Sequence, residues 1–576
     1  MAFLQRQKTN SGSISLSLAE AVYRKGQKPA QRRFTLGTFD DASQTLRVNR
    51  NLARRGEIIP LATLHEHLAK GDLRDWISAP ASRSAKPIDG TAQDAKSRTK
   101  EEKLADVASV TEDGPWHVLE EIAKDCGLMN SLEAAFDKEL AWQLFAIATH
   151  QVCSGSPLYL MQHWAADQPL PFEIMKADFS SPALSILMAE LGRDLGRRDQ
   201  FNCQWVKALG NPQSLVYDLT STSTYSSHPL AEWGYNRDNE KLPQLNLALV
   251  ADAVTGLPLI LRPLSGSISD TKTLKLTSDI LKSYGLSNFK YRLDRAFYSA
   301  GNVREMLSSG LGFTMTLKIG CAEARALLVE KGASLLQPMA GFLDGDRVVR
   351  HAVKEVDFAD AQGKNHRCGL HLYMDPLRRS SMVTDLERRC MLALTDAEEL
   401  SFKTEALAKE WIDERPAKVK NCLKVKEIGK GKKALWRIER DDAAATEVFF
   451  DLGYQVTLSS DPKLSGKVIL EDYGLRDHAE KLIDIHKNEN GNARLRTGDP
   501  MVAEGRLFVS TLALILHQAL QRRMKDAGLL KSYSVAELLG MLRRLRCIRS
   551  CGATHPTEPP KKCREALAAL KIELPR

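Results

Sequence analysis

The chain has 576 residues, of which 43% are hydrophobic and 27% charged, and this balance argues against wholesale disorder. One domain typically has about 150 residues, so we expect three or more domains. The longest apolar run, 507–516, is too short for a bilayer-spanning helix of about 20 residues, and the N-terminus has no apolar core of a signal peptide. We therefore expect a soluble, cytoplasmic protein that has no membrane partner.

The net charge of +9 is concentrated at the two ends of the chain. Residues 1–60 carry 11 basic and 4 acidic side chains, and residues 521–576 carry 13 basic and 5 acidic ones. Basic ends suit a polyanionic partner, because each Lys or Arg that contacts a phosphate releases a counterion. Solubility alone would explain the same distribution. The ten cysteines are scattered, which indicates reduced thiols rather than a disulfide framework.

The N-terminal third divides by composition. Residues 12–37 predict two strands around a basic turn, and a helical pattern follows at 61–68, so we assign an N-terminal β-hairpin and helix domain to 1–77. Residues 78–103 are rich in Ala, Ser, Lys and Pro with few large apolar side chains, which predicts a linker. Helical spacing then predicts a helical domain over 104–210.

A mixed pattern of strands and helices follows over 211–320. Two apolar runs joined by Val254-Thr255-Gly256 predict a β-hairpin. The predicted elements are strands at 215–219, 245–253, 257–264 and 289–293, and helices at 270–284 and 298–312.

The remaining chain predicts three further regions. Short β runs and a charged helix indicate a β-rich inserted domain over 321–455. A strand and helices return over 456–525, including a strongly apolar helix at 505–525, so this region would complete the core begun at 211–320. Residues 526–576 predict a basic helical C-terminal region.

Two aspartates occupy unusual positions in this pattern. Asp218 lies within a predicted strand and Asp294 ends another. A charged carboxylate in an apolar strand costs several kcal/mol unless a partner offsets it. A divalent cation is one such partner, and hard oxygen ligands select Mg²⁺ or Mn²⁺. A salt bridge to Arg292 or Arg295 is the other, and the two strands alone favour the salt bridge.

Residues 473–487 carry a third candidate group. At about 100° per residue on one helix, four polar side chains fall within an arc of roughly 60°. These are Tyr473, Arg476, Glu480 and Lys487. The opposite face carries Leu475, Ala479, Leu482 and His486. The apolar face would dock on the sheet while the polar face presents a phenol, a guanidinium, a carboxylate and an ammonium. A solvated amphipathic helix is the alternative.

The spacing Y-(2)-R-(3)-E-(6)-K of these four residues resembles the signature of bacterial insertion-sequence DDE transposases, in the long-chain subgroup of the IS-four-like superfamily. The sequences around the two aspartates, Tyr-Asp-Leu-Thr-Ser-Thr and Leu-Asp-Arg-Ala-Phe, are similar to the first and second aspartate strands of that family. Ala296 stands where the family usually has glycine, and Ser267 stands where it usually has asparagine.

The resemblance implies an α/β fold. In it, a ribonuclease H-like catalytic core is interrupted by a β-rich insertion, with small N-terminal β and helical DNA-binding regions and a helical C-terminal tail. Asp294 and Glu480 are 186 positions apart, and this gap accommodates the insertion. The resemblance also implies that Asp218, Asp294 and Glu480 are catalytic and hold two Mg²⁺ or Mn²⁺ ions per active site.

The implied activity is cut-and-paste transposition by two-metal phosphoryl transfer. The protein would bind terminal inverted repeats of double-stranded DNA, cleave at the element ends and join the 3′-OH ends to target DNA, as a homodimer in the bacterial cytoplasm at the nucleoid. Its DNA contacts would come from Tyr473, Arg476, Lys487, Arg295 and Trp436. Trp436 would stack on a flipped base, or else belong to the core. The alternatives are a domesticated, inactive DNA-binding protein and a ribonuclease H-like nuclease.

Overall fold

The computed structural model describes residues 2–8, 14–22, 30–41, 43–49, 57–70, 72–78, 109–225, 227–238, 240–429, 435–550 and 553–574. The chain forms two compact units, Met1–Thr99 and Lys100–Arg576. Of the predicted linker 78–103, all but Ser78 lies outside the described residues.

The first unit contains an antiparallel sheet whose strands follow sequence order. They are β1 Ala2–Lys8, β2 Ile14–Val22, β3 Ala30–Asp40, β4 Thr45–Val48 and β5 Ile58–Pro60, followed by helices Leu61–Lys70 and Leu73–Ser78. Leu16, Leu18 and Leu36 of the sheet pack with Leu64 of the first helix to form the core of this unit. The predicted strand pair and helix are confirmed, and the basic turn of 23–29 lies outside the described residues.

Helices dominate the start of the second unit, as predicted. They are Asp113–Asp125, Leu128–Ala135, Lys138–Ser154, Met161–Ala166, Ser181–Arg193 and Leu195–Ala208, with short 3₁₀ turns at Leu158–Leu160 and Phe172–Ile174. Their apolar faces share one hydrophobic core with three later helices. These are Pro500–Asp526, Val535–Leu542 and Lys561–Leu570. The predicted regions 104–210 and 526–576 are therefore parts of one packed body.

A small sheet also joins these regions. Strand β6, Ser109–Glu112, pairs antiparallel with β19, Arg546–Ser550, and β19 pairs with β20, Ala553–Pro556. The C-terminal region is thus helical only in part. The helix Pro500–Asp526 has the length and composition to cross a membrane, but 72% of its most apolar window is buried inside the protein. Its apolar residues serve the core, because it packs against helices on several sides.

A mixed sheet is the centre of the second unit. Its strands are β7 Ser214–Thr224, β8 Gln244–Asp252, β9 Pro258–Leu264, β10 Lys290–Leu293, β11 Gly312–Leu317, β12 Gly341–Asp344, β13 Arg347–Ala359, β14 Asn365–Met374, β17 Tyr454–Ser459 and β18 Arg494–Leu495. They lie in the order β12-β13-β14-β17-β11-β10-β7-β8-β9, with β18 beside β7. Strands β7, β10 and β11 are parallel, whereas β8 and β9 form an antiparallel hairpin. Sheet and helices together make an α/β fold.

The elements predicted over 211–320 are confirmed except at the end of the region, where the helix predicted to reach 312 ends at Ser308 and the unpredicted strand β11 begins at Gly312. The hairpin of β8 and β9 turns at Val254-Thr255-Gly256, where Asp252 accepts hydrogen bonds from the backbone N–H groups of the turn. Gly256 has a φ of +72°, which glycine adopts without strain. Helices Asp270–Ser283 and Ala300–Ser308 follow the hairpin and β10 respectively.

The predicted β-rich insertion over 321–455 is wrong in its boundaries and composition. Strands β12, β13 and β14 extend the main sheet, because β14 pairs with β17 next to β11. Residues within 376–452 build a separate hydrophobic cluster, and the described part of this region is mostly helical. It contains helices Pro376–Glu398, Glu405–Asp413, Ala417–Lys420 and Asp442–Phe450 and one hairpin, β15 Leu423–Ile428 with β16 Leu435–Arg440.

Two helices of the shared core approach each other through glycine. A Cβ on Gly505, in helix Pro500–Asp526, would overlap the backbone carbonyl of Met188 in helix Ser181–Arg193. A Cβ on Gly192 would likewise overlap the carbonyl of Met501. Backbone atoms cannot yield as a flexible side chain can, so these glycines set the distance between the helices.

Gly505→Ala should therefore destabilise the protein by about 1–3 kcal/mol through overpacking. Helix propensity alone would predict the opposite sign, because alanine is favoured over glycine by about 1 kcal/mol. The measurement is urea unfolding followed by circular dichroism. Gly540→Ala is the matched control, since a Cβ there meets no described atom within 4 Å. Equal stabilisation by both substitutions would contradict the close helix contact.

Candidate active site

Neighbouring parallel strands bring Asp218 and Asp294 to one place. In the register of β7 and β10, Arg292 lies opposite Val216. Continuing that register by two residues brings Asp294, which directly follows β10, next to Asp218 on β7. Tyr217 points to the other face of the sheet, where its hydroxyl donates to Thr273 Oγ1 at 2.7 Å. Because side chains alternate along a strand, Asp218 lies on the same face as Val216.

The third acid comes from a helix that packs on that face. Ala479 and Leu482 of helix Asp477–Asp484 are fully buried in one hydrophobic cluster with Val216. Burial of these apolar residues, with His486, confirms the predicted apolar face. Glu480, on the opposite side of the helix, is exposed, and Arg476 connects it to Asp218.

The predicted single helix over 473–487 is wrong. One helix ends at Gly474, a second runs over Asp477–Asp484, and a π-helical turn covers Ile485–Glu489. A π-helix has more residues per turn than the 3.6 of an α-helix, so the side chains beyond Ile485, including Lys487, do not fall on the predicted polar arc. Arg476 lies at the junction between the first two helices.

The guanidinium of Arg476 joins the acids. Its Nη1 lies 3.4 Å from Asp218 Oδ2, and its Nη2 pairs with the carboxylate of Glu480. Burial lowers the pKa of Arg476, but electrostatic interactions raise it to a net upward shift; these are with Tyr473, Asp218, Asp294 and Glu480. The structure therefore gathers one cation and three carboxylates, and the predicted salt bridge of Asp218 to Arg292 or Arg295 is wrong. Arg292 instead pairs with Asp472.

Tyr473 borders this group. Its hydroxyl lies 3.0 Å from Thr316 Oγ1, and its ring centroid lies 6.0 Å from Arg476 Cζ. Burial raises the pKa of the Tyr473 hydroxyl, although its hydrogen bond with Thr316 and the nearby Arg476 oppose that rise. Tyr473 thus stays a neutral phenol beside Arg476.

Burial controls the charge of Asp218. It raises the pKa of this carboxyl to about 6, although Arg476 and the Leu219 N–H, which donates to Oδ1 at 2.8 Å, both lower it. Asp294 adds a smaller upward shift by like-charge repulsion. The ionised carboxylate is therefore held at an energetic cost that a stronger cation would relieve.

Three predicted DNA-contacting residues lie apart from this group or are engaged elsewhere. Lys487 is buried, and its Nζ lies 2.6 Å from Asp238 Oδ2. Arg295 is exposed in the 3₁₀ turn directly after Asp294. Trp436 is half-buried on β16 in the region 376–452, where its backbone pairs with Phe402. Their contacts with DNA stay predictions.

Sequence reasoning missed Arg237 and the packing of its segment, 227–238, against β7. Arg237 donates to Asp270 Oδ1 at 2.7 Å and lowers the pKa of Asp218 electrostatically as a minor effect. Its backbone N–H donates to Ser221 Oγ at 3.0 Å. Residues 220–224 form a run of five buried Ser and Thr side chains on β7. Such a run needs polar partners and would have been the signal for a segment packed over the strand.

The donor chemistry of the acids suits a hard divalent cation, because Asp218, Asp294 and Glu480 offer carboxylate oxygens. In the part of the chain that the structure describes, no three His, Cys, Asp or Glu side chains are arranged to hold a metal ion. The guanidinium of Arg476 lies between Asp218 and Glu480 instead. Metal binding would therefore require Arg476 to release Asp218.

Comparisons with known proteins give little further information. No protein-family model matches this chain, and no curated protein matches it. A solved structure that is similar is the piggyBac transposase synaptic complex with hairpin DNA, with 10% sequence identity and a TM-score of 0.33 over 77% of each chain.

Asp218→Asn should stabilise the metal-free protein at pH 8 by about 3 kcal/mol, since a pKa raised to about 6 reflects a penalty on the ionised form. The folded-state pKa is raised, so the penalty is absent below the unfolded value near 4, grows between pH 4 and 6, and is complete above pH 6. Urea unfolding of both proteins at pH 8 and pH 4 measures it. A variant less stable than wild type at pH 8 would show that the Arg476 ion pair outweighs burial.

Proposed function

We propose that this protein is a DDE transposase of an insertion sequence, which cleaves DNA at the element ends and joins the 3′-OH ends to target DNA. One observation carries the proposal: three acids, separated by 76 and 186 positions in the sequence, meet around Arg476 on one face of a mixed sheet, at its interior strands β7 and β10. A purely structural salt bridge would not need three carboxylates. The arrangement supports a ribonuclease H-like core.

The acids would hold the metal ions of the reaction. When bound by Asp218, Asp294 and Glu480, two Mg²⁺ or Mn²⁺ ions supply Lewis-acid activation of the nucleophile and stabilisation of the leaving oxygen in an in-line displacement. In the metal-free state Arg476 offsets the charge of Asp218 and Glu480 and keeps the acids from repelling one another.

Arg476 also suits the substrate. A guanidinium presents a fork of N–H donors that matches a phosphate. Once Arg476 releases Asp218, its short distance from all three acids would let it bind the phosphate being cut. Tyr473, packed beside it, would restrict the guanidinium to that direction. Arg295 would contact a neighbouring phosphate from its exposed turn, and Lys487 would do so after releasing Asp238.

The partner of this site would be double-stranded DNA, bound at terminal inverted repeats and at the target. Basic residues at both ends of the chain support a polyanionic partner. Two DNA ends must be held together for transposition, so we propose a homodimer on DNA in the bacterial cytoplasm. Trp436 would stack on a base from its position in the 376–452 cluster.

A second candidate is an inactive protein that binds DNA. The observation in its favour is the ion pair of Arg476 with Asp218 and Glu480, which occupies the position where a metal would bind. The two functions differ in a single measurable property, since only the transposase cuts DNA when a divalent metal is added.

Glu480→Gln should reduce metal-dependent DNA cleavage by more than about a hundredfold, because it removes a carboxylate ligand while keeping its size. The substrate is a plasmid that carries this gene with its native flanking DNA, incubated with Mg²⁺ or Mn²⁺ and analysed for cuts at nucleotide resolution. Asp484→Asn is the matched control, because Asp484 is an exposed acid on the same helix, one turn further on.

Cuts at two inverted ends by wild type and Asp484→Asn, but not by Glu480→Gln, would support the transposase. Binding of those ends by all three proteins without cutting would support the inactive binder. Cuts at random sites would indicate a nuclease that does not recognise element ends.

A further inference from the structure

A cavity of about 550 Å³ lies in the second unit, away from the acids. Its walls come from helix Lys138–Ser154, from the segment 490–496 and from helix Pro500–Asp526. Asp218, Asp294 and Glu480 are not among its lining residues. Its volume lies within the range of roughly 300–1,000 Å³ that is usual for small-ligand pockets.

The cavity contains an arginine that lacks a charged partner. Arg506 projects from helix Pro500–Asp526 into the lining, and burial lowers its pKa with no opposing contribution from an acid. Arg506 is partly exposed, and among the described residues its guanidinium forms no ion pair and no hydrogen bond with the protein. A desolvated charge without a partner is costly, so an anionic ligand would offset that cost.

A second polar group in the lining also lacks a partner. Asn490 is only 4% exposed, and neither its Nδ2 nor its Oδ1 is hydrogen-bonded within the described structure. Its position is fixed, because its backbone carbonyl accepts from Gln151 Nε2 at 3.0 Å. Buried amides are almost always satisfied. Both amide atoms are shielded from solvent, so a ligand in the cavity would be bound by the amide once the Asn490 side chain turns toward the lining.

The remaining charged groups of the lining leave the cavity positive. Glu240 is the acid among the lining residues, and Arg494 pairs with it. Burial lowers the pKa of His150 to about 4, so this residue is neutral at pH 7. Arg496, exposed at the rim, adds a second positive charge to that of Arg506.

We propose that this cavity binds the phosphate group of a nucleotide, with Arg506 as the forked donor and Asn490 as the neutral donor. A guanidinium recognises phosphate through paired N–H donors, and a neutral amide adds a contact without a further desolvated charge. The phosphate would belong either to a DNA strand or to a free nucleotide, and both present the same group. The proposal stands independently of catalysis by the three acids.

The test measures binding of inorganic phosphate and of a nucleoside 5′-monophosphate to the full-length protein by calorimetry and by thermal shift, without metal and at constant ionic strength set with NaCl. Arg506→Met should weaken binding at least about tenfold, because it removes a charge-assisted contact. Without phosphate this variant should be at least as stable as wild type, because it removes a partly buried charge that has no ion-pair partner. Arg522→Met is the matched control, an exposed arginine on the same helix outside the lining.

Asn490→Asp is a second variant of nearly equal side-chain size, to be used if Arg506→Met fails to fold. Its added negative charge should abolish phosphate binding. A short DNA strand that displaces the bound monophosphate would identify DNA as the source of the phosphate, whereas failure to displace it would identify a free nucleotide. The proposal is overturned if wild type binds neither probe, or if the folded variants bind both as tightly as wild type. DNA cleavage does not enter either readout, so a failure here leaves the proposed transposase to its own test.

Discussion

The ion pair of Arg476 with Asp218 and Glu480 is the interaction on which the geometry of the candidate site depends. It joins Asp218, on a strand of the main sheet, to Arg476, which lies 258 positions later in the chain, directly before the helix of Glu480. Without a cation between them, carboxylates this close would repel one another in a partly desolvated place. The same cation makes the site stable without metal and suits it to phosphate when the acids receive metal ions.

Apolar packing places that ion pair. Ala479 and Leu482 pack with Val216 and so press the helix of Glu480 onto the face of the sheet that carries Asp218. On the neighbouring stretch of β7, buried Ser and Thr side chains hold the segment that contains Arg237 and Asp238. Asp238 forms an ion pair with Lys487. Glu240, two residues later, lines the cavity that contains Arg506. One strand therefore organises both candidate sites.

Local patterns predicted most of the individual elements, and the hairpin of β8 and β9 followed from its turn residues. Local patterns alone did not group Asp218, Asp294 and Glu480; the resemblance to the transposase signature proposed them as a set. Long-range pairing was not predictable, because nothing in the sequence of β14 shows that it joins β17 rather than a separate module. The prediction that Lys487 shares a helix face with Glu480 is wrong, because a π turn interrupts the helical period before it. Arg506 and Asn490 carry no motif, and only the lack of partners in the folded chain distinguishes them.

The most direct test of this account is a crystal of the protein soaked in Mn²⁺ and measured at an X-ray wavelength where manganese scatters anomalously. The account predicts anomalous peaks between the carboxylates of Asp218, Asp294 and Glu480, with the Arg476 guanidinium withdrawn from Asp218. An intact ion pair of Arg476 with Asp218 and Glu480, with no peak at saturating Mn²⁺, would contradict a metal-dependent active site.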